Sequence, residues 1–138
     1  METLLEESFL KLIERRRNEI KEGKTKQIRD VSSKRIDGKD TCYHVMKCEG
    51  ITFLKQSNSN EKYHIIERWR RIEIVGNPAS KELKVGDIEY RFCYYIVSRK
   101  PETRRPATWI YGQYSPMISH EDFFNLIELA KAENTITN

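Results

Sequence analysis

Cys42, His44 and Cys48 fall on one parity of an apolar, alternating stretch, so as a strand they could present two thiols and an imidazole on one face and recruit His64 or Cys93 as a fourth ligand. Structural zinc sites, however, supply paired ligands at short turn spacings such as C-x-x-C, and this chain has none. A buried free thiol is an ordinary core residue, so neither metal nor cofactor is expected. Nucleophilic catalysis needs a Cys or Ser beside a His held by a third group. The residue types are present, but no local signature such as G-x-S-x-G marks one out. His120 reads as an exposed first-turn helix residue, and His64 as a packed or half-exposed strand residue. The fragment Glu82-Leu83-Lys84 with Asp87 offers the carboxylates and lysine of a metal-dependent nuclease, at a spacing that any highly charged chain produces. None of the six glycines falls in a phosphate-cradling pattern, which argues against nucleotide-dependent phosphoryl transfer.

Charge interleaved with aromatic rings is the pattern that remains. Arg68, Arg70 and Arg71 flank Trp69, while Arg99, Lys100, Arg104 and Arg105 crowd the segment RKPETRRP between two β-patterned arms that carry Tyr95, Trp109, Tyr111 and Tyr114. Guanidinium groups contact phosphates, and aromatic faces stack on unpaired bases. The leading expectation is therefore a non-catalytic nucleic-acid-binding or regulatory module, contacting a polyanion or an acidic protein surface through Arg68, Arg70, Arg71, Arg99, Lys100, Arg104, Arg105, Tyr95 and Trp109. Its rival is a regulatory or inhibitory protein that recognises a protein or a small anion through WIYGQY, with Tyr111, Gln113 and Tyr114 lining a concave pocket. Gly112 supports that rival, because a glycine inside a strand marks a bulge or a close approach.

Charge distribution is uneven along the chain. The net charge is +4, yet residues 15–39 hold ten Lys or Arg against four Asp or Glu, and residues 62–105 hold eleven against six. The three cysteines are an odd count, a poor basis for a disulfide framework, and no basic start leads into an apolar signal core. No apolar run approaches the roughly 20 residues of a membrane span, so a soluble, cytoplasmic protein is expected. A length of 138 residues with 38% hydrophobic content suits one domain with one core.

The elements that must position these residues are legible in outline. Leu5, Phe9, Leu12, Ile13 and Ile20 form a helical stripe, Thr3 with Glu6 matches a capping box, and Gly23 stops the helix, which predicts a helix over 3–22. Residues 24–40 read as loop or thin edge strand. A sheet is expected over 41–114: strands at 41–48 and 51–54 broken by Glu49-Gly50, a strand rather than a helix over 63–75, and a hairpin from Ile88 to Tyr114. In that hairpin Ile88, Tyr90, Phe92, Tyr94 and Ile96 are expected to face the core, leaving Glu89, Arg91, Cys93, Tyr95 and Val97 free to bind. Ser119 as N-cap, Asp122 reaching back, an Ile118–Phe123 staple and the stripe Phe123, Leu126, Ile127, Ala130 predict a helix over 119–133, closed by Asn134 and followed by a frayed tail. The sum is a single compact α+β domain, an antiparallel sheet of about five or six strands with both helices packed on one face.

Overall fold

The computed structural model describes residues 2–98, 108–112 and 117–137. Helix α1 (Glu2–Lys21) leads into strands β1 (Thr25–Arg29), β2 (Cys42–Lys55), β3 (Lys62–Gly76), β4 (Ile88–Ser98) and β5 (Thr108–Gly112), and helix α2 (His120–Ala132) closes the order. The five strands form one curled sheet in the order β1-β2-β3-β4-β5, each antiparallel to the next. Short connections between successive strands favour that meander. The chain is thus one α+β domain. The polar stretch after α1 contributes the edge strand β1, so the sheet begins well before residue 41.

Glu49-Gly50 does not turn the chain. β2 runs through it as one strand of 14 residues, with Glu49 as the extra residue between the pairs Cys48↔Trp69 and Gly50↔Arg68. A second irregularity places Ile72 as the extra residue on β3, between Met46↔Arg71 and Val45↔Glu73. Bulges of this kind bend a strand and increase its local twist, which gives the sheet a concave face. The C-terminal tail crosses Gly50 closely: a Cβ there would lie 3.2 Å from the Thr135 hydroxyl, which would have to give way by a few tenths of an ångström. At the far end of β3, Gly76 has φ +92°, and a Cβ would overlap the carbonyl oxygen of Thr41.

The two helices lie on opposite faces, not on one. Phe9 and Ile13 of α1 join Ile51, Tyr63, Ile65, Cys93 and Tyr95 in one cluster, whereas Leu126 and Ala130 of α2 pack with Ile66, Leu54 and Phe92. Ile65 and Ile66 are consecutive strand residues, so they point to opposite sides. Phe9 anchors the larger cluster, stacked on Tyr63 at 3.6 Å and edge-on to Phe53 and Trp109 at 5.3 and 5.2 Å. In β4 the expected assignment of faces is therefore inverted. Cys93 and Tyr95 are buried under α1, while Tyr90 and Ile96 remain 46% and 38% exposed because α2 covers only the sheet around Phe92.

Ser119 caps α2 by accepting from the Asp122 amide at 3.2 Å, but the Asp122 carboxylate does not reach back. It accepts instead from the amide and hydroxyl of Ser57 at 3.1 and 3.2 Å, tying the helix start to the β2–β3 turn. Phe123 is exposed rather than part of the buried stripe. Asn134 adopts a left-handed φ of 61° and ends the helix as expected, yet Thr135 and Ile136 are not frayed, since both amides donate to the Ala130 carbonyl. Thr135 is buried, and its hydroxyl accepts from Thr52 at 2.8 Å.

Candidate functional site

The concave face and the C-terminal half of α1 enclose a cavity of about 410 Å³. Its sheet side presents Cys48 from β2, Glu67 and Trp69 from β3, Arg91 and Tyr95 from β4 and Tyr111 from β5; its helix side presents Arg16, Glu19 and Ile20. Each strand residue is there by parity. Glu67 and Trp69 continue the inward series of Tyr63 and Ile65, and Arg91 continues that of Cys93 and Tyr95. Arg16 is there by helical spacing, three residues beyond buried Ile13 and four before Ile20.

Glu67 is the electrostatic centre, a carboxylate only 1% exposed. Its Oε2 pairs with the Arg16 guanidinium, which also donates to the Tyr95 hydroxyl at 2.8 Å. Burial works against the charge on Arg16, but Glu67 and, after it, Tyr95 together outweigh it and raise the guanidinium's pKa above its ordinary value. Oε1 is held more loosely, by Trp69 Nε1 at 3.4 Å, the Tyr111 hydroxyl at 3.5 Å and the Cys93 thiol at 3.9 Å. Arg91 lies over the Trp69 ring, 5.5 Å from its centroid, and donates to the Tyr111 hydroxyl at 3.5 Å. Among the described residues it makes no salt bridge. At the mouth stand Lys24, within 4.0 Å of Glu19 and Glu22, and Lys26.

The cavity's thiols and phenols are set to stay protonated. Burial, and then the negative charge of Glu67, push the thiol of Cys48 up to about 11 and that of Cys93 up to about 12. Burial raises Tyr111 as well, helped by its contact with Cys93 and by Glu67. A thiolate nucleophile is therefore scarce in this cavity near neutral pH. What the arrangement offers is one half-buried cation, without a salt bridge among the described residues, beside an indole, a phenol and a buried carboxylate oxygen.

The residues expected to contact nucleic acid are dispersed. Arg68 and Arg70 lie on the outer face and share Glu49, at 3.1 and 2.7 Å. Arg71 is buried on the inner face, bound to Asp87 at 3.1 Å and Glu89 at 2.6 Å. Tyr95 is buried under α1, and Trp109 is half-buried with its indole donating to the Leu5 carbonyl at 3.3 Å, so neither ring offers a free face for stacking. Arg99, Lys100, Arg104, Arg105, Gln113 and Tyr114 lie outside the described residues. Of the WIYGQY group, Tyr111 reaches the cavity. Gly112 allows the Tyr94 ring to lie across it, where a Cβ would overlap the ring.

The thiol–imidazole grouping is split. Cys42 and His44 meet Asp30 within 4.8 Å, while Cys48 faces the cavity. His44 Nδ1 accepts from Arg71 Nε at 3.1 Å, so its Nε2 carries the proton donated to Asp30 at 3.2 Å. Asp30 also accepts from the amides of Ala79 and Ser32, and those bonds, with that from His44, lower its pKa. These donors and acceptors are engaged with one another beside a guanidinium, an arrangement that fastens β1 and β2 to the β3–β4 connection. In the nuclease-like fragment Asp87 accepts from Arg71 and from the Lys84 amide, which makes it a turn and an ion-pair partner.

Arg91 lies on the β4 face expected to be free to bind, whereas Arg16 and Glu67 were not among the expected site residues. The signal for those two was a charged residue at a position whose period belongs to the core. Comparison with protein-family models, curated proteins and solved structures finds no match to this chain. No described helix is long and apolar enough to cross a membrane.

Proposed function

We propose that the chain is a small binding protein whose concave cavity takes a small organic anion, with Arg91 as its anchor. The observation that carries this reading is Arg91 itself: a half-buried guanidinium, lining a cavity, without a carboxylate partner among the described residues. Burial works against the Arg91 charge, which the Tyr111 hydroxyl and, beyond salt-bridge distance, Glu67 sustain; a ligand carboxylate or phosphate supplies the salt bridge that neither makes, with bidentate geometry. The cavity's lining holds four cations, Arg16, Lys24, Lys26 and Arg91, against two carboxylates, Glu19 and Glu67, which also favours an anion. A volume of about 410 Å³ lies in the usual range for small-molecule sites.

Thermal denaturation in the presence of phosphate, acetate, benzoate or 3-phenylpropionate tests this. A ligand at a hundred times its Kd adds about 2.7 kcal/mol of stability. At least one carboxylate is expected to raise the melting temperature of the wild-type chain and to leave that of Arg91→Gln unchanged. Equal stabilisation of both chains would move the site elsewhere. Binding of oligonucleotides alone, weakening steeply with salt and lost when Arg99, Lys100, Arg104 and Arg105 are neutralised, would instead support the polyanion reading.

A further inference from the structure

We infer that the ligand of this cavity is a free α-amino acid with an aromatic side chain, its carboxylate on Arg91 and its ammonium on Glu67. The inference rests on the anion reading above and adds a second charge to it.

The reason lies in the loosely held half of Glu67. Charge-assisted hydrogen bonds to a carboxylate ordinarily close to about 2.5–2.9 Å. Oε2 has such a partner in Arg16, but every contact of Oε1 lies at 3.4 Å or beyond, although the side chain is 1% exposed. A buried carboxylate oxygen with only long contacts retains most of its capacity to accept. Catalytic and binding hydrogen bonds are often long in an empty site and shorten around the bound molecule.

Tyr111 fixes how far apart the two charges are. Its hydroxyl lies 3.5 Å from Arg91 Nη1 and 3.5 Å from Glu67 Oε1, so these atoms are at most about 7 Å apart, twice that distance. They are also more than the 4.0 Å that would make them an ion pair. A cation and a carboxylate held apart across one cavity match a molecule that carries the opposite charges on two groups close together. In an α-amino acid one carbon separates the ammonium from the carboxylate. A simple carboxylate would pair Arg91 and set its charge against Glu67; a simple amine would do the reverse. Trp69 and Ile20 give apolar surface to a lining that otherwise holds Glu19, Lys24, Thr25, Lys26 and Cys48, and that surface suits a ring beyond the charged end.

Calorimetric titration of the full chain at neutral pH with L-phenylalanine, 3-phenylpropionate and phenethylamine separates the contributions, because the second lacks the ammonium and the third the carboxylate. L-Phenylalanine is expected to bind about tenfold tighter than either, or more, as hydrogen bonds to charged groups allow. In Glu67→Gln its advantage over 3-phenylpropionate is expected to shrink towards one. If 3-phenylpropionate binds as well as L-phenylalanine, the ammonium site is overturned and the anion reading stands. If phenethylamine binds tightest, both are overturned. If none of the three binds, the amino-acid class is overturned and the anion reading is judged by phosphate, acetate and benzoate. Glu67→Gln leaves Arg16 without its partner and can fail to fold, so the three-probe comparison on the wild-type chain decides the matter by itself.

Discussion

Replacing Arg16 by Met leaves the Glu67 carboxylate buried without its cation, and the structure sets the size of the effect. Glu67 is 1% exposed and the Arg16 side chain 19% exposed, so water reaches the pair from one side only. Breaking a buried ion pair by removing one partner costs about 3–5 kcal/mol, chiefly because an uncompensated charge stays behind. The partial exposure of Arg16 and the remaining contacts to Trp69 and Tyr111 place Arg16→Met at the lower end, about 3 kcal/mol. For a chain of this length each kcal/mol moves the melting temperature by about 3 °C, so calorimetry is expected to show a fall of roughly 10 °C. The double variant Arg16→Met/Glu67→Leu removes the stranded charge and is expected to recover most of that fall. A fall of less than about 3 °C in the single variant, or a double variant no more stable than the single one, would refute the placement of Glu67 as a buried ionised group.

His64 is fully buried beneath α2, and among the described residues neither ring nitrogen has a hydrogen-bond partner. Burial, and then Lys62, lower its pKa against an opposing contribution from Asp122. The unfolded chain therefore takes up this proton first, so stability is full above the unfolded value near 6.5 and falls with a slope of up to about 1.4 kcal/mol per pH unit below it. Denaturant titrations between pH 8 and 5 are expected to show that slope in the wild type and a flatter one in His64→Leu. With the thiols of Cys48 and Cys93 raised to about 11 and about 12, iodoacetamide at pH 7.5 is expected to label them over a hundredfold more slowly in the native chain than in urea, as read by mass spectrometry. Gly76→Ala forces a side chain into a left-handed conformation against the Thr41 carbonyl; urea denaturation is expected to show a loss of about 2 kcal/mol or more.

Local chemistry in the sequence reported local structure well. The Gly23 stop, the Ser119 cap, Asn134 and the Gly76-Asn77-Pro78 break all lie where short-range rules place them, and β3 is a strand although Ile65, Ile66, Trp69 and Ile72 also satisfy helical spacing. Alternation alone did not say which face of β4 is the inner one. Both faces are rich in apolar residues, and the choice is made by where Phe9 and Ile13 dock, a long-range fact. Likewise Glu49-Gly50 carries the composition of a turn, but the chain continues through it because β3 extends far enough to pair with both halves of β2. Arg16 and Glu67 sat on inward positions of otherwise apolar series. Each charge alone looked like an interruption of its series, and their mutual pairing became visible only once α1 lay across β3.

Titration of isotopically labelled chain with L-phenylalanine and 3-phenylpropionate, followed through the indole resonances, reads the cavity in place. Trp69 donates to Glu67 inside it, whereas Trp109 donates to the Leu5 carbonyl in the aromatic core, so the two indoles report different places. A ligand seated between Arg91 and Glu67 shifts the Trp69 indole and leaves that of Trp109 in position, and Arg91→Gln abolishes the shift. If the Trp69 indole does not move while amides of the outer-face residues Arg68 and Arg70 do, the ligand site is not the concave cavity.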